Sequence, residues 1–314
     1  MNKTLAIIDI DGLFYQSSKE TLEESISNFD EKLNNIFEQT KATHYVAFCS
    51  FSPYFRHEID KEYKQHRKKY KSPLKWIKTL KSYAIEKYGV QWMKNVEADD
   101  LCAYWMNKEL SIAVDDGKIE PKEVFDETLE YCVEQKIDLF KFEPMEVILC
   151  TPDKDLLQSI PGKHFNYTYK LKDEIKELVR QNPSYETKEE DVIKGFWVET
   201  TDDESEDFQK MQLLVGDSSD GIKGVEKKGI KYWEKMVKNN ENLYTKILSE
   251  YFLKYGISQG IYNFQKNFRL LHLLQTDEDF FREIGHLPEM PEIYKINQLN
   301  EIENLNDEKL PNFD

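Results

Sequence analysis

The 314-residue chain carries 43 Lys and Arg against 59 Asp and Glu, a net charge of −16, with 39% hydrophobic and 13% aromatic residues. Its length and apolar content suffice for one large domain or two fused ones. No stretch reaches the roughly 18 apolar residues of a membrane span. The apolar run after Met1-Asn2-Lys3 ends at Asp9, too short for the about 7–15 residues of a signal-peptide core.

In chain order, Leu5-Ala6-Ile7-Ile8 suits a buried strand that stops at Asp9. Leu22, Ile26, Phe29, Leu33 and Ile36 recur at helical spacing, and Tyr45-Val46-Ala47-Phe48-Cys49 is a second buried strand. Ser72-Pro73 predicts a helix start, an N-cap followed by Pro at the first helical position, with the helix running to about Tyr88. A helix opening near Glu97 places Ala98, Leu101, Cys102 and Trp105 on one stripe. Residues 121–136 read as a helix with an acidic face, and Val147-Ile148-Leu149-Cys150 as a third strand. From about 208 the pattern is helical, broken by a glycine-punctuated turn at 221–229. Strands alternating with helices predict an α/β fold with a mostly parallel sheet, whose site lies at the carboxyl ends of the strands. Cys49, Cys102, Cys132 and Cys150 form no CxxC pair and have no His at zinc-like spacing, so they read as reduced thiols of a cytoplasmic protein.

Acids gather where apolar structure ends. Asp9 and Asp11 follow the first strand, and Glu97, Asp99 and Asp100 open a helix. Asp153 and Asp155 follow the third strand, and Asp217 and Asp220 precede the glycine turn. Any one pair taken alone reads as an N-cap or a solvated surface. Glu97 and Asp100 share a helix face, as Asp217 and Asp220 do if helical; Asp153 and Asp155 point to one side if extended. Converging carboxylates repel one another unless cations sit between them. All-oxygen ligation selects Mg²⁺ or Mn²⁺, and two such ions suit phosphodiester hydrolysis.

Charge is lopsided along the chain. Residues 61–81 hold nine Lys or Arg and one acid, Glu62, with Tyr63, Tyr70 and Trp76 interleaved. Cations for backbone phosphate beside aromatics for base stacking make a single-strand binding surface, against the plainer reading of a solvated helix. Lys223, Lys227, Lys228 and Lys231 form a smaller basic cluster around Gly221, Gly224 and Gly229. Small residues there let the backbone approach a phosphate.

IIDIDGLFY (7–15), FRHEIDKEYKQHR (55–67), VEADD (96–100), TPDKDLLQ (151–158) and VGDSSDGIKGVEKKG (215–229) together resemble the flap endonuclease-like 5′-to-3′ exonucleases. The resemblance is strongest to the bacteriophage members and the 5′-nuclease domain of bacterial DNA polymerase I, and spans about residues 4–235. It implies a PIN-like 5′-nuclease fold: an α/β nuclease domain over 1–207 with a helical arch over about 61–95. A helical DNA-binding region follows over 208–295, with a helix–three-turn–helix, and then an acidic tail over 296–314. By this resemblance Asp9, Glu97, Asp99, Asp100, Asp153, Asp155, Asp217 and Asp220 bind two metal ions. Lys64 and Arg67 position the scissile phosphate, and Tyr63 stacks on a terminal base. Lys68, Lys69, Lys71, Gly224, Lys227, Lys228 and Gly229 contact DNA, and the 221–229 turn holds K⁺.

The implied substrate is DNA with 5′ ends, flaps or branches, or RNA in an RNA–DNA hybrid. The tail could engage a replication protein, and the setting is the cytoplasm, a host's if the chain is phage-encoded. Three departures stand out. Cys49 replaces the acid that ends the family's second strand, with Asp11 the nearest substitute. Gly221 stands for an Asn and Lys227 for a Gly. Two acidic insertions fall at roughly 107–145 and 171–207. Two other readings compete: a haloacid dehalogenase-type phosphatase using Asp9 and Asp11, and a branched-DNA binder with weakened chemistry.

Overall fold

Leu5 to Ile8 lack a polar residue because both faces of their strand are covered. The structure, a computed structural model, describes residues 3–65, 67, 75–107, 112–115, 118–121, 145–238, 242–286 and 297–298. In chain order these form β1 (Lys3–Asp9), α1 (Asp11–Ser17), α2 (Leu22–Thr40), β2 (His44–Phe48), α3 (Arg56–Ile59), α4 (Ile77–Tyr88) and α5 (Ala98–Asn107). After the β3–β4 pair (Ile112–Asp115, Lys118–Pro121) come β5 (Met145–Cys150), α6 (Lys154–Ser159), β6 (Gly162–Leu171), α7 (Asp173–Gln181) and β7 (Val192–Thr200). The helical part follows: α8 (Asp202–Val215), β8 (Gly216–Asp217), β9 (Ile222–Lys223), α9 (Ile230–Val237), α10 (Leu243–Tyr255), α11 (Ile257–Leu271) and α12 (Asp277–Ile284), then β10 (Asn297–Gln298).

The main sheet has the order β10-β2-β1-β5-β6-β7. Its four central strands are parallel, and β10 and β7 add antiparallel edges. Alternation along β1 feeds two cores. Ala6 and Ile8 pack with Phe29, Leu33 and Ile36 of α2 and Leu80 and Tyr83 of α4. Leu5 and Ile7 pack with Leu101, Cys102 and Trp105 of α5. A third core joins Leu214 of α8, Trp233 of α9, and Ile247 and Tyr251 of α10. The predicted α/β class and mostly parallel sheet are therefore observed. Among the described residues no helix is long and apolar enough to cross a membrane.

Several local expectations change. The helix expected from Ser72-Pro73 begins at Ile77; residues 72–74 lie outside the described residues, while Lys75 and Trp76 form a turn. Residues 122–144, most of the predicted acidic helix, also lie outside them, as do Cys132, Lys68, Lys69, Lys71, Tyr70 and all of the tail except Asn297 and Gln298. The second acidic insertion holds α7 and the edge strand β7. Helix α8 starts at Asp202 under a Thr201 cap, so the boundary expected at 207/208 falls inside a helix.

Candidate active site

β1 leads through α1 and α2 to β2 on one side, while β5 leads through α6 to β6 on the other. Connections that part in this way leave a crevice at the carboxyl ends of the two strands. Asp9 ends β1, and Asp153 caps the helix after β5. Asp9 Oδ2 accepts from Thr151 Oγ1 at 2.9 Å and Oδ1 from Asp11 N at 3.2 Å, while Tyr167 donates to the Asp9 carbonyl. Burial, then Asp11 and Asp153, pushes the Asp9 carboxyl up to about 7.

Asp153 and Asp155 are not extended. Asp153 is the N-cap of α6 and its Oδ1 accepts from Asp155 N at 2.7 Å. Asp155 accepts from Gln212 Nε2 at 3.0 Å, and burial with Asp153 and Asp217 raises it to about 7. Asp99, half-buried, is pushed well up by desolvation, Asp9 and Asp153. Asp153 thus repels Asp9 and Asp99 on one side and Asp155 on the other.

Asp217 and Asp220 are not helical either. Gly216-Asp217 pairs with Ile222-Lys223, and Asp217 Oδ1 accepts from Ser219 N and Oγ at 2.8 and 2.7 Å. The intervening turn brings Asp220 to the basic segment. Lys64 Nζ lies 2.6 Å from Glu97 Oε1 and 3.4 Å from Asp220 Oδ2, and Arg67 Nη2 is 2.5 Å from Asp220 Oδ1. Lys64 holds a left-handed φ of +54°, the kind of backbone strain that concentrates at functional sites. Tyr63 is buried, 4% exposed, and its hydroxyl donates to Glu97 and Asp220. It braces two acids in this structure and offers no open face to a base.

Glu97 immediately precedes α5 rather than lying in it, Asp100 is in the first turn, and both meet Arg56. The guanidinium spans Asp100 with contacts of 2.6 and 2.8 Å and reaches Glu97 at 3.1 Å. Asp100 is fully buried. At the end of β2, burial and then Asp11 push the Cys49 thiol up to about 12, so it stays protonated at neutral pH. Asp11 fills in beside it: Oδ2 accepts from Ser50 N at 3.0 Å, and Oδ1 pairs with Lys81 Nζ at 2.8 Å.

At the glycine turn, Gly224 serves close packing, since a Cβ there would sit 2.3 Å from the Leu214 carbonyl oxygen. Gly229 precedes α9, and a Cβ there would meet nothing within 4 Å. Lys227 is exposed, with φ +64° where the resembling family has Gly. Lys228 pairs with Glu250 at 2.9 Å and stacks 3.8 Å over Tyr232.

Among the described residues no three His, Cys, Asp or Glu side chains are closed into a ready metal cage. The donor set nevertheless fits a divalent cation. It is all oxygen, short of positive charge, and already holds the Lys64 ammonium between Glu97 and Asp220 as a stand-in. The roles of Arg56, Lys81, Thr151 and Gln212 were not foreseen. Arg56 left one signal, an arginine set between Phe55 and His57 inside a recognised motif.

The 5′-3′ exonuclease N-terminal resolvase-like domain matches residues 9–115. The bacteriophage T5 flap endonuclease, solved as a complex with DNA and metal ions, is similar at a TM-score of 0.53 and 14% identity, over 87% of this chain and 90% of that one. Bacteriophage T5 5′-exonuclease with bound zinc ions is similar at a TM-score of 0.51 and 18% identity, with the same coverage. No curated protein sequence matches the chain. The family match over residues 9–115 and the shared fold agree with the resemblance read from the five motifs. They do not favour the phosphatase reading.

Proposed function

We propose that the chain hydrolyses DNA phosphodiesters near 5′ ends, as a 5′-to-3′ exonuclease and flap endonuclease, with Mg²⁺ or Mn²⁺ held by Asp9, Glu97, Asp99, Asp153, Asp155, Asp217 and Asp220. The observation that carries this reading is the placement of Asp9 at the end of β1 and of Asp153 and Asp155 at the start of the helix after β5, where Asp153 helps to raise the carboxyls of Asp9, Asp99 and Asp155. Such crowding suits two ion sites that share Asp153, and Asp11 supplies the acid that β2 lacks. Bound there, divalent ions supply an activated water and charge for the leaving oxygen.

The chain's own residues do the rest. Lys64 and Arg67 exchange Glu97 and Asp220 for oxygens of the scissile phosphate, and so place the phosphorus over the acids. Asp9 is kept in register by Thr151 and Tyr167, and Asp155 by Gln212. Lys227 and the open backbone at Gly229 meet a duplex phosphate farther along, where K⁺ would also be held by the turn. RNA in a hybrid presents the same phosphate chemistry. An acidic tail at 296–314 suits a basic surface on a replication protein.

The test is cleavage of a 5′-labelled flap in Mg²⁺ or Mn²⁺. Short 5′-phosphorylated products are expected, and they vanish with Asp153→Asn while flap binding persists. Flap binding with no cleavage in either metal would instead favour the branched-DNA binder.

A further inference from the structure

Arg56 takes no direct part in the hydrolysis, yet it is the most completely bonded side chain around the site. It is 2% exposed, and each of its five N–H donors has an acceptor. Nε donates to the Leu270 carbonyl at 2.9 Å. Nη1 donates to Glu97 Oε2 at 3.1 Å and Asp100 Oδ2 at 2.6 Å. Nη2 donates to Asp100 Oδ1 at 2.8 Å and the His272 carbonyl at 2.9 Å. The remaining acceptor capacity of Asp100 faces Leu274 N at 3.0 Å. Asp100 is 0% exposed, so neither oxygen opens on the crevice.

We infer that Arg56 is a positioning residue of the nuclease site: it holds Glu97 toward the crevice and withdraws Asp100 from the metal-binding set to serve as its anchor. The inference rests on the nuclease reading of the site. Physically, a planar guanidinium bound bidentately to one carboxylate fixes that carboxylate's orientation. Its remaining N–H on Nη1 then has a set direction, and Glu97 Oε2 lies along it. Tyr63 restrains the same oxygen, which leaves Oε1 as the one held only by Lys64. The two backbone acceptors belong to the end of α11 and the segment after it. The same side chain therefore ties the acid-bearing α5 to the helical region.

This divides the three acids of VEADD between two tasks. Glu97 and Asp99 face the chemistry; Asp100 faces the protein. Breaking a buried pair from one side strands a charge, so conservative variants of the full chain are the informative ones.

Mn²⁺ binding is measured by calorimetry and by the paramagnetic signal of free Mn²⁺, alongside flap cleavage, for the wild type, Asp100→Asn, Arg56→Lys and Asp153→Asn. Asp100→Asn is expected to lower the melting temperature but keep the number of bound Mn²⁺ ions and their affinity within about threefold, because it removes no ligand. Arg56→Lys keeps the charge but loses the fork, and is expected to weaken Mn²⁺ binding and kcat by about 10–100-fold with KM for the flap little changed. Loss of an Mn²⁺ ion in folded Asp100→Asn, matching Asp153→Asn, would overturn the assignment. So would wild-type Mn²⁺ affinity and kcat in Arg56→Lys, a result that decides the matter even if Asp100→Asn does not fold. Wild-type Mn²⁺ binding in Asp153→Asn would instead remove the metal reading on which the inference stands.

Discussion

Lys64 satisfies two acids of the resting protein, and the proposed mechanism asks the same side chain to meet the scissile phosphate. Its ammonium neutralises Glu97 and Asp220, and although burial works against its charge, those acids keep its pKa well above the ordinary lysine value. Replacing it by Glu places a third carboxylate between buried Glu97 and partly buried Asp220, at a cost of several kcal/mol unless a proton or metal intervenes. Lys64→Glu should therefore cut both cleavage and flap binding, and the loss of binding should deepen at high salt, as filter binding across a salt series would show. Tyr63→Phe separates bracing from packing. It keeps the ring but removes a donor shared by Glu97 and Asp220, so folding should weaken by about 1–3 kcal/mol, measurable by urea unfolding. The sequence offered Tyr63 as a stacking aromatic because it stands among lysines; its burial against Ile222 and Leu270 depends on the fold.

At the scale of elements, the turn between α8 and α9 and the cap of α12 make separate predictions. Lys227 holds a left-handed φ of +64°, which costs an L-residue about 1–2 kcal/mol. Lys227→Gly relieves that strain but loosens the unfolded chain, so stability should stay level or rise by up to about 1 kcal/mol. DNA affinity should still fall, since an exposed cation is lost. A thermal melt and a binding titration on the same sample would check both halves. Asp279 lies in the first turn of α12. It accepts from Thr276 N and Gln275 N at 3.0 Å each and faces His272 Nε2 at 3.1 Å. Burial alone would raise this carboxyl, but those partners hold it well below the ordinary 3.8. A carboxylate with a depressed folded pKa contributes stability that is present above the unfolded pKa and lost as pH falls through the folded one. Asp279→Asn should therefore cost about 1–2 kcal/mol at neutral pH. It should also flatten the acid limb of the stability curve below 3.8, as denaturant unfolding from pH 7 down to pH 3 would reveal.

For the whole molecule, a net charge of −16 works against any polyanion, so binding must depend on local arrangement. The cations Lys64, Arg67 and Lys81 all lie against the acids of the site. Divalent ions relieve the remaining repulsion in the folded chain only, so they should stabilise it. At about 100 times the dissociation constant the gain is about 2.7 kcal/mol. A melting curve in Mn²⁺ should shift upward for the wild type and much less for Asp153→Asn; equal shifts would argue for nonspecific binding.

How much of this was legible depended on the range of the interaction. Apolar runs placed β1, β2 and β5, and the acids that follow the first and third marked the crevice at their carboxyl ends, because local periodicity and parallel-sheet burial are written residue by residue. The acids of four clusters could be named for the same reason. Their geometry could not. Asp153 caps a helix, Asp217 ends the short strand β8 and Asp100 turns inward to Arg56 from 44 residues away. Those outcomes rest on contacts between distant segments, which no local pattern encodes. The sequence by itself determined that this chain would bring carboxylates to strand ends of an α/β fold. Only the tertiary structure decided which of them face the crevice and which are held by the protein's own cations, because a buried charge takes its role from the partner that desolvates with it.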